Sequence, residues 1–169
     1  MYKRKYTGKG IGVAILDTGI FPHIDFGRRI LAFCDFTEGK SGPYDDNGHG
    51  THVSGILGGD GTASQGRYKG AAPGCGIVAL KVLDRFGNGS REDVLQAFQW
   101  IEDFGKIYNI RIVNISVGTT SRSMNEQTDL LAGVEQLWDK GFTVVAAAGN
   151  QGPGDGTVTA PGSSRKIIT

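Results

Sequence analysis

The chain reads as an α/β domain with a mostly parallel sheet and helices on both faces. Two observations predict it. Short apolar runs bounded by Gly or Asp recur along the sequence, and stretches of helical spacing alternate with them. Strands of that kind are buried on both sides, and right-handed crossovers are expected to join them.

Taken in order, residues 1–10 form a loose lead-in, and its basic cluster Lys3-Arg4-Lys5 is short and terminal. Residues 11–16 (IGVAIL) are a buried strand, and residues 29–36 a second. The turn formers of residues 37–48 make a loop. A helix follows from Gly50 to Leu57, then a glycine-rich loop to Pro73. Residues 76–83 (GIVALKVL) form the next strand. Ser90 with Asp93 three residues on is a helix start of the capping-box type. Val94, Leu95, Phe98, Ile101 and Ile107 keep helical spacing to about Tyr108. Residues 111–117 are a strand. Residues 125–140 are a long helix with Leu130, Leu131, Val134, Leu137 and Trp138 on one stripe, stopped by Gly141. Residues 142–148 are a strand, and residues 166–169 begin another.

In open parallel sheets, chemistry collects beyond the carboxyl ends of the strands. The polar residues placed there are Asp17, Asp84, Ser116 and Asn150. The composition narrows the function further. A net charge of +1 argues against nucleic-acid and membrane-surface partners. No run approaches a membrane span, and the first apolar run is too short for a signal core. Cys34 and Cys75 are too few for a disulfide framework and are expected as buried or half-buried thiols; low cysteine use leans towards a cytoplasmic location. Glycine, 28 residues of 169, suits a site built on tight turns and close backbone approaches.

Three segments carry candidate chemistry. Asp17 ends a buried strand, where a carboxylate needs a partner; alone it reads equally as a turn aspartate. His49 lies at the mouth of a helix among small residues, suited to a general base held by a carboxylate. His49 and His52 lack the Glu and third ligand of a helical metal motif, so a metal-dependent hydrolase using them with Asp17 is a distant alternative. Asn150 ends the small-residue run Ala146-Ala147-Ala148-Gly149, where its amide can donate to an oxyanion or simply make a turn.

Together these segments resemble the subtilisin-like serine proteases, the subtilases. Ile15-Leu16-Asp17-Thr18-Gly19 looks like their aspartate motif, His49-Gly50-Thr51-His52-Val53-Ser54-Gly55 like their histidine motif, and Ala146 to Asn150 like their oxyanion motif. The order of the three also matches. Tyr44-Asp45-Asp46-Asn47-Gly48 looks most like the intracellular-type bacterial branch. The resemblance makes residues 1–169 a partial subtilase catalytic domain. It implies a serine endopeptidase in which Asp17 orients His49, His49 moves the serine proton, and Asn150 steadies the oxyanion. It also implies that a peptide substrate lies extended between Gly87-Asn88-Gly89 and Ser116-Val117-Gly118. Gly118, Ala148 and Gly149 would leave a roomy pocket for a large apolar residue before the cleaved bond.

The sequence departs from the family in one respect. The Gly-Thr-Ser-Met-Ala-type motif that carries the family's serine is absent. Residues 118–124, with Ser121 and Ser123, imitate it at the wrong place, and Ser163 and Ser164 look like a loop before the next strand. The chain as given is therefore expected to be inactive, to lack the C-terminal half of its domain and to self-associate through exposed edges. The alternative is a natural non-catalytic half-domain that binds peptides or a partner chain. Calcium is common in the family and remains possible: Asp25 sits one residue off a family ligand position, and residues 59–66 do not clearly show the family's calcium loop.

Overall fold

The computed structural model describes residues 6–118 and 124–169. Lys3-Arg4-Lys5, Ser121 and Ser123 lie outside them. Five strands form one parallel sheet: β1 (Gly12–Asp17), β2 (Ile30–Asp35), β3 (Gly76–Lys81), β4 (Ile110–Ile115) and β5 (Thr143–Ala146). Their order across the sheet is β2-β3-β1-β4-β5. Helix α1 (His49–Gly58) joins β2 to β3, α2 (Arg91–Phe104) joins β3 to β4, and α3 (Met124–Asp139) joins β4 to β5. Ile168 lies beside Val145 in parallel pairing, bonded to Val144 and Ala146, where a further strand was expected to begin.

Alternation along β1 and β3 divides the core in two. Ala14, Leu16, Val78 and Leu80 meet Val94, Phe98 and Ile101 of α2 and Leu130, Val134 and Leu137 of α3. Val13, Ile15, Ile77 and Ala79 face the other way, towards Val53 and Leu57 of α1 and the buried Phe26. Asp17 continues the second set, so it points to the α1 side.

This arrangement corrects the expectation of uniformly right-handed crossovers. β2 to β3 and β4 to β5 step in the same direction across the sheet, yet α1 and α3 lie on opposite faces. The two connections therefore have opposite hands. The β1–β2 and β3–β4 connections agree with β4–α3–β5, which leaves β2–α1–β3 as the exception to the right-handed rule. Had it obeyed the rule, α1 would lie with α2 and α3, on the face away from Asp17. The loop of residues 36–48 supplies the slack that the exception needs.

Helix α2 stops earlier than its spacing predicts. Its capping box forms as expected, with Ser90 and Asp93 each accepting from the other's backbone N–H. It ends at Phe104 with Gly105 as its C-cap, and Gly105 is packed so closely under the Phe142 ring that a Cβ there would lie 2.9 Å from it. Tyr108 turns back to stack on Trp100, and Ile107 is left exposed rather than in the stripe. The two cysteines are free thiols; Cys75 is buried and Cys34 half-buried, and burial pushes both thiols up.

Asp35, at the end of β2, organises the following loop. It accepts from the backbone N–H of Thr37, Glu38 and Lys40 and from the hydroxyls of Thr37 and Tyr44. Burial alone would raise its carboxyl, but these bonds, led by that of Tyr44, hold it at about 2 against the usual 3.8. A depressed carboxyl contributes stability above its unfolded value and loses it as pH falls through its folded value. The difference corresponds to about 2 kcal/mol. Urea unfolding from pH 7 to pH 2 should show this contribution intact above about pH 4 and fading towards pH 2. Asp35→Asn should lose about 2 kcal/mol at neutral pH and flatten that part of the profile.

Candidate active site

Asp17 and His49 meet where β1 and α1 converge. Asp17 is 1% exposed. Its Oδ1 accepts from Thr18 N at 2.7 Å and lies 2.7 Å from His49 Nδ1. The imidazole is half in solvent, its side chain 53% exposed, so its far nitrogen is accessible. A buried carboxylate holding one face of an exposed ring is an arrangement for moving a proton at the other face.

The join is built from small residues and hydroxyls. Gly50 N donates to Thr18 Oγ1, and Phe21 N donates to Thr51 Oγ1. A Cβ on Gly50 would fall 2.2 Å from Gly19 O, and one on Gly19 would fall 2.2 Å from Tyr44 O. Glycine is required at both positions because backbone meets backbone there.

Asp45 ties the loop to the helix. Its carboxylate accepts from the hydroxyls of Thr18 and Thr51 and from the N–H groups of Asn47, Gly48 and Thr51. Burial would raise this carboxyl, but the bonds from Thr51 and Gly48 hold it below its ordinary value. A negative charge there also complements the α1 N-terminus. On the other side of His49, Asn47 Nδ2 donates to Arg85 O. That contact draws in the turn of residues 84–88, which Asp84 shapes by accepting from Phe86 N and Asn88 N.

This turn opens onto a cleft of about 480 Å³ lined by Gly87, Asn88, Gly89, Ser116, Val117, Gly118 and Asn150. The segments expected to flank a substrate are thus brought to one groove. Leu83, Val94 and Leu130 give it an apolar base. Ala148 and Gly149 do not line it, although Gly149 abuts Gly118. Ser116 Oγ accepts from Asn114 Nδ2, and Ser164 Oγ donates to Glu135. Ser54 is wholly buried in α1.

The sequence reading missed Thr18, Asp45 and Lys81. Thr18 and Asp45 lie in a motif and in a loop, and nothing in their spacing signals their mutual bond. Lys81 carried a usable signal: a charged residue inside an apolar run is rarely buried unless paired. It is fully buried, and Nζ donates to Thr18 O, Leu83 O and Asp46 Oδ1.

Among the described residues, no group of three His, Cys, Asp or Glu side chains could hold a metal, and His52 points to a separate groove lined by Phe21 and Tyr68. The Asp25 locus does not fit calcium. Asp25 Oδ1 accepts from Ala63 N, and the Arg29 guanidinium donates to the carbonyls of Asp25, Gly58 and Cys75, 3.7 Å from Asp60. A fixed organic cation already uses the oxygens that converge there. No described helix is long and apolar enough to cross a membrane.

The chain thus combines an α/β sheet, a carboxylate-held imidazole able to move a proton, and an extended cleft joined to it through Asn47. Residues 8–169 match the subtilase family (peptidase S8), and the chain belongs to that family. It is 42% identical over 168 residues to the serine protease AprX of Bacillus subtilis (strain 168), covering 96% of this chain and 38% of AprX. It is 40% identical over 156 residues to the minor extracellular protease Epr of the same strain, covering 90% of this chain and 22% of Epr. The solved S41 psychrophilic protease superimposes with a TM-score of 0.83 at 33% identity, over 96% of this chain and 53% of that one. The chain therefore spans about half the length of that structure, and less of the two relatives.

The tight join predicts a contrast between two glycines of α1. Gly50→Ala should destabilise the fold by about 3 kcal/mol, since neither backbone can yield. Gly55→Ala, whose Cβ would meet nothing within 4 Å, should be neutral or gain up to about 1 kcal/mol. Thermal unfolding of the two variants checks both.

Proposed function

We propose that the chain is the Asp- and His-bearing part of a serine endopeptidase. The observation that carries this reading is the 2.7 Å Asp17–His49 contact, linked through Asn47 and Arg85 to a cleft lined by Gly87–Gly89 and Ser116–Gly118. Asp17 holds His49 in one tautomer and stabilises the imidazolium. His49 takes the proton of a serine hydroxyl and returns it to the leaving amine. Asn150 donates to the tetrahedral oxyanion. An extended peptide runs between Gly87–Gly89 and Ser116–Gly118, its backbone bonded as an added strand. The apolar base formed by Leu83, Val94 and Leu130 favours apolar side chains on that peptide.

The nucleophile is a serine outside these 169 residues. Among the described residues no serine hydroxyl is bonded to His49, and those of Ser116 and Ser164 are engaged elsewhere. The full-length protein should cleave peptides and react with a fluorophosphonate probe, whereas the 169-residue chain should do neither. Asn150→Ala in the full-length protein should lower kcat by about 10²–10³, a magnitude taken from subtilisin itself rather than derived from this geometry. A full-length protein that the probe leaves unlabelled would count against the whole reading.

The 169-residue chain should also self-associate. Outside β5, pairing among the described residues is confined to Ile168, and Phe21, Ile24, Ile56 and Tyr68 are exposed on the α1 side. Open edges and apolar patches pair with copies of themselves. Light scattering at micromolar concentration should show species larger than the 17.9 kDa monomer; a monodisperse monomer contradicts this.

A further inference from the structure

Three charged residues stand in register at the carboxyl ends of three adjacent strands: Asp35 on β2, Lys81 on β3 and Asp17 on β1. All three are buried. Registered residues of parallel neighbours share a face, so one ammonium lies between two carboxylate-bearing strand ends. Asp35 has its own five donors in the loop after β2. Asp17 is less well supplied: both of its contacts fall on Oδ1, and its buried Oδ2 has no partner.

Lys81 has three N–H groups and three acceptors, each on a different part of the site. Thr18 O, at 2.7 Å, follows Asp17 directly in the chain. Asp46 Oδ1, at 2.9 Å, belongs to the loop that leads into His49. Leu83 O, at 2.8 Å, precedes the turn that presents Gly87–Gly89 to the cleft. Nζ also lies 5.1 Å from the Tyr44 ring centre, on the loop that pairs with Gly19. The bond to Lys81 holds Asp46 below its ordinary carboxylate range.

We propose that Lys81 is a positioning residue for the Asp17–His49 pair. Its ammonium ties the residue after Asp17 to the loop that leads into His49, and puts a buried positive charge on the adjacent strand, in register with a carboxylate that lacks a partner on one oxygen. The proposal rests on the proton-transfer role given to these two residues. Removing one partner of a buried charge pair destabilises a protein whatever the role of that partner, so stability alone does not separate a positioning lysine from a structural one. Without the ammonium, Thr18 O and Asp46 Oδ1 lose the one donor that joins them.

The test uses the full-length protein and reads the pair directly. A proton shared between an imidazole nitrogen and a carboxylate gives a far-downfield ¹H NMR line, here that of His49 Nδ1. The wild-type protein should show this line. Lys81→Met should lose it or move it clearly, and lower kcat/KM at least tenfold, mostly through kcat. Lys81→Arg, which keeps the charge, should retain the line. Asp46→Asn removes only the partly exposed acceptor and is expected to fold; it should shift the line by less than Lys81→Met. If Lys81→Met fails to fold, Asp46→Asn decides alone. A line unchanged in every folded variant overturns the proposal, as does a wild-type protein that shows none. The line is read without substrate, so a protein that shows it yet cleaves no peptide refutes the protease reading while leaving the role of Lys81 to be judged by the variants.

Discussion

Burying the carboxylate of Asp17 is the constraint on which the rest of this structure turns. An ionised group taken out of water is costly unless charge or hydrogen bonds replace the lost solvent. Here the replacements come from two directions: Thr18 N from the residue that follows in the chain, and the His49 ring from α1. The second requires a segment 32 residues away to arrive at hydrogen-bond distance. The odd hand of the β2–α1–β3 connection follows from the same demand, since it sets α1 on the face to which Asp17 points.

Close approach explains the pattern of small residues. Asp17-Thr18-Gly19 and His49-Gly50-Thr51 interlock as two segments whose backbones touch, with hydroxyls of Thr18 and Thr51 filling the gaps between donors and acceptors. Asp45 collects the donors left over at the start of α1, a task usually given to a capping side chain directly before the helix. Gly48 holds that position with a positive φ and offers no side chain, so the cap is supplied from three residues further back.

The same economy holds around the cleft. Asp84 bends the chain so that Gly87–Gly89 face the strand end of β4, and Asn47 links that bend to the histidine loop. The histidine loop and the groove are therefore joined through Asn47. At the Asp25 locus, Arg29 joins the end of α1 to the start of β3 through the carbonyl oxygens that calcium would need. A guanidinium suits such a place because its donors are fixed in a plane and its charge does not titrate.

Much of this was legible in the chain alone. Local patterns determined the element order, the parallel sheet and the capping box at Ser90, and they singled out Asp17, His49 and Asn150 as candidates, because apolar periodicity and short motifs are local properties. The groove-lining role of Gly87–Gly89 and Ser116–Gly118 followed from the family resemblance. The tertiary structure decided what depends on distant segments meeting. It set the opposite-handed crossover, the early end of α2 under Phe142, and the network that joins Thr18, Asp45, Asp46 and Lys81. These features involve residues 27 to 63 positions apart. Their partners are chosen by packing in three dimensions, and a pattern read along one dimension does not contain that choice.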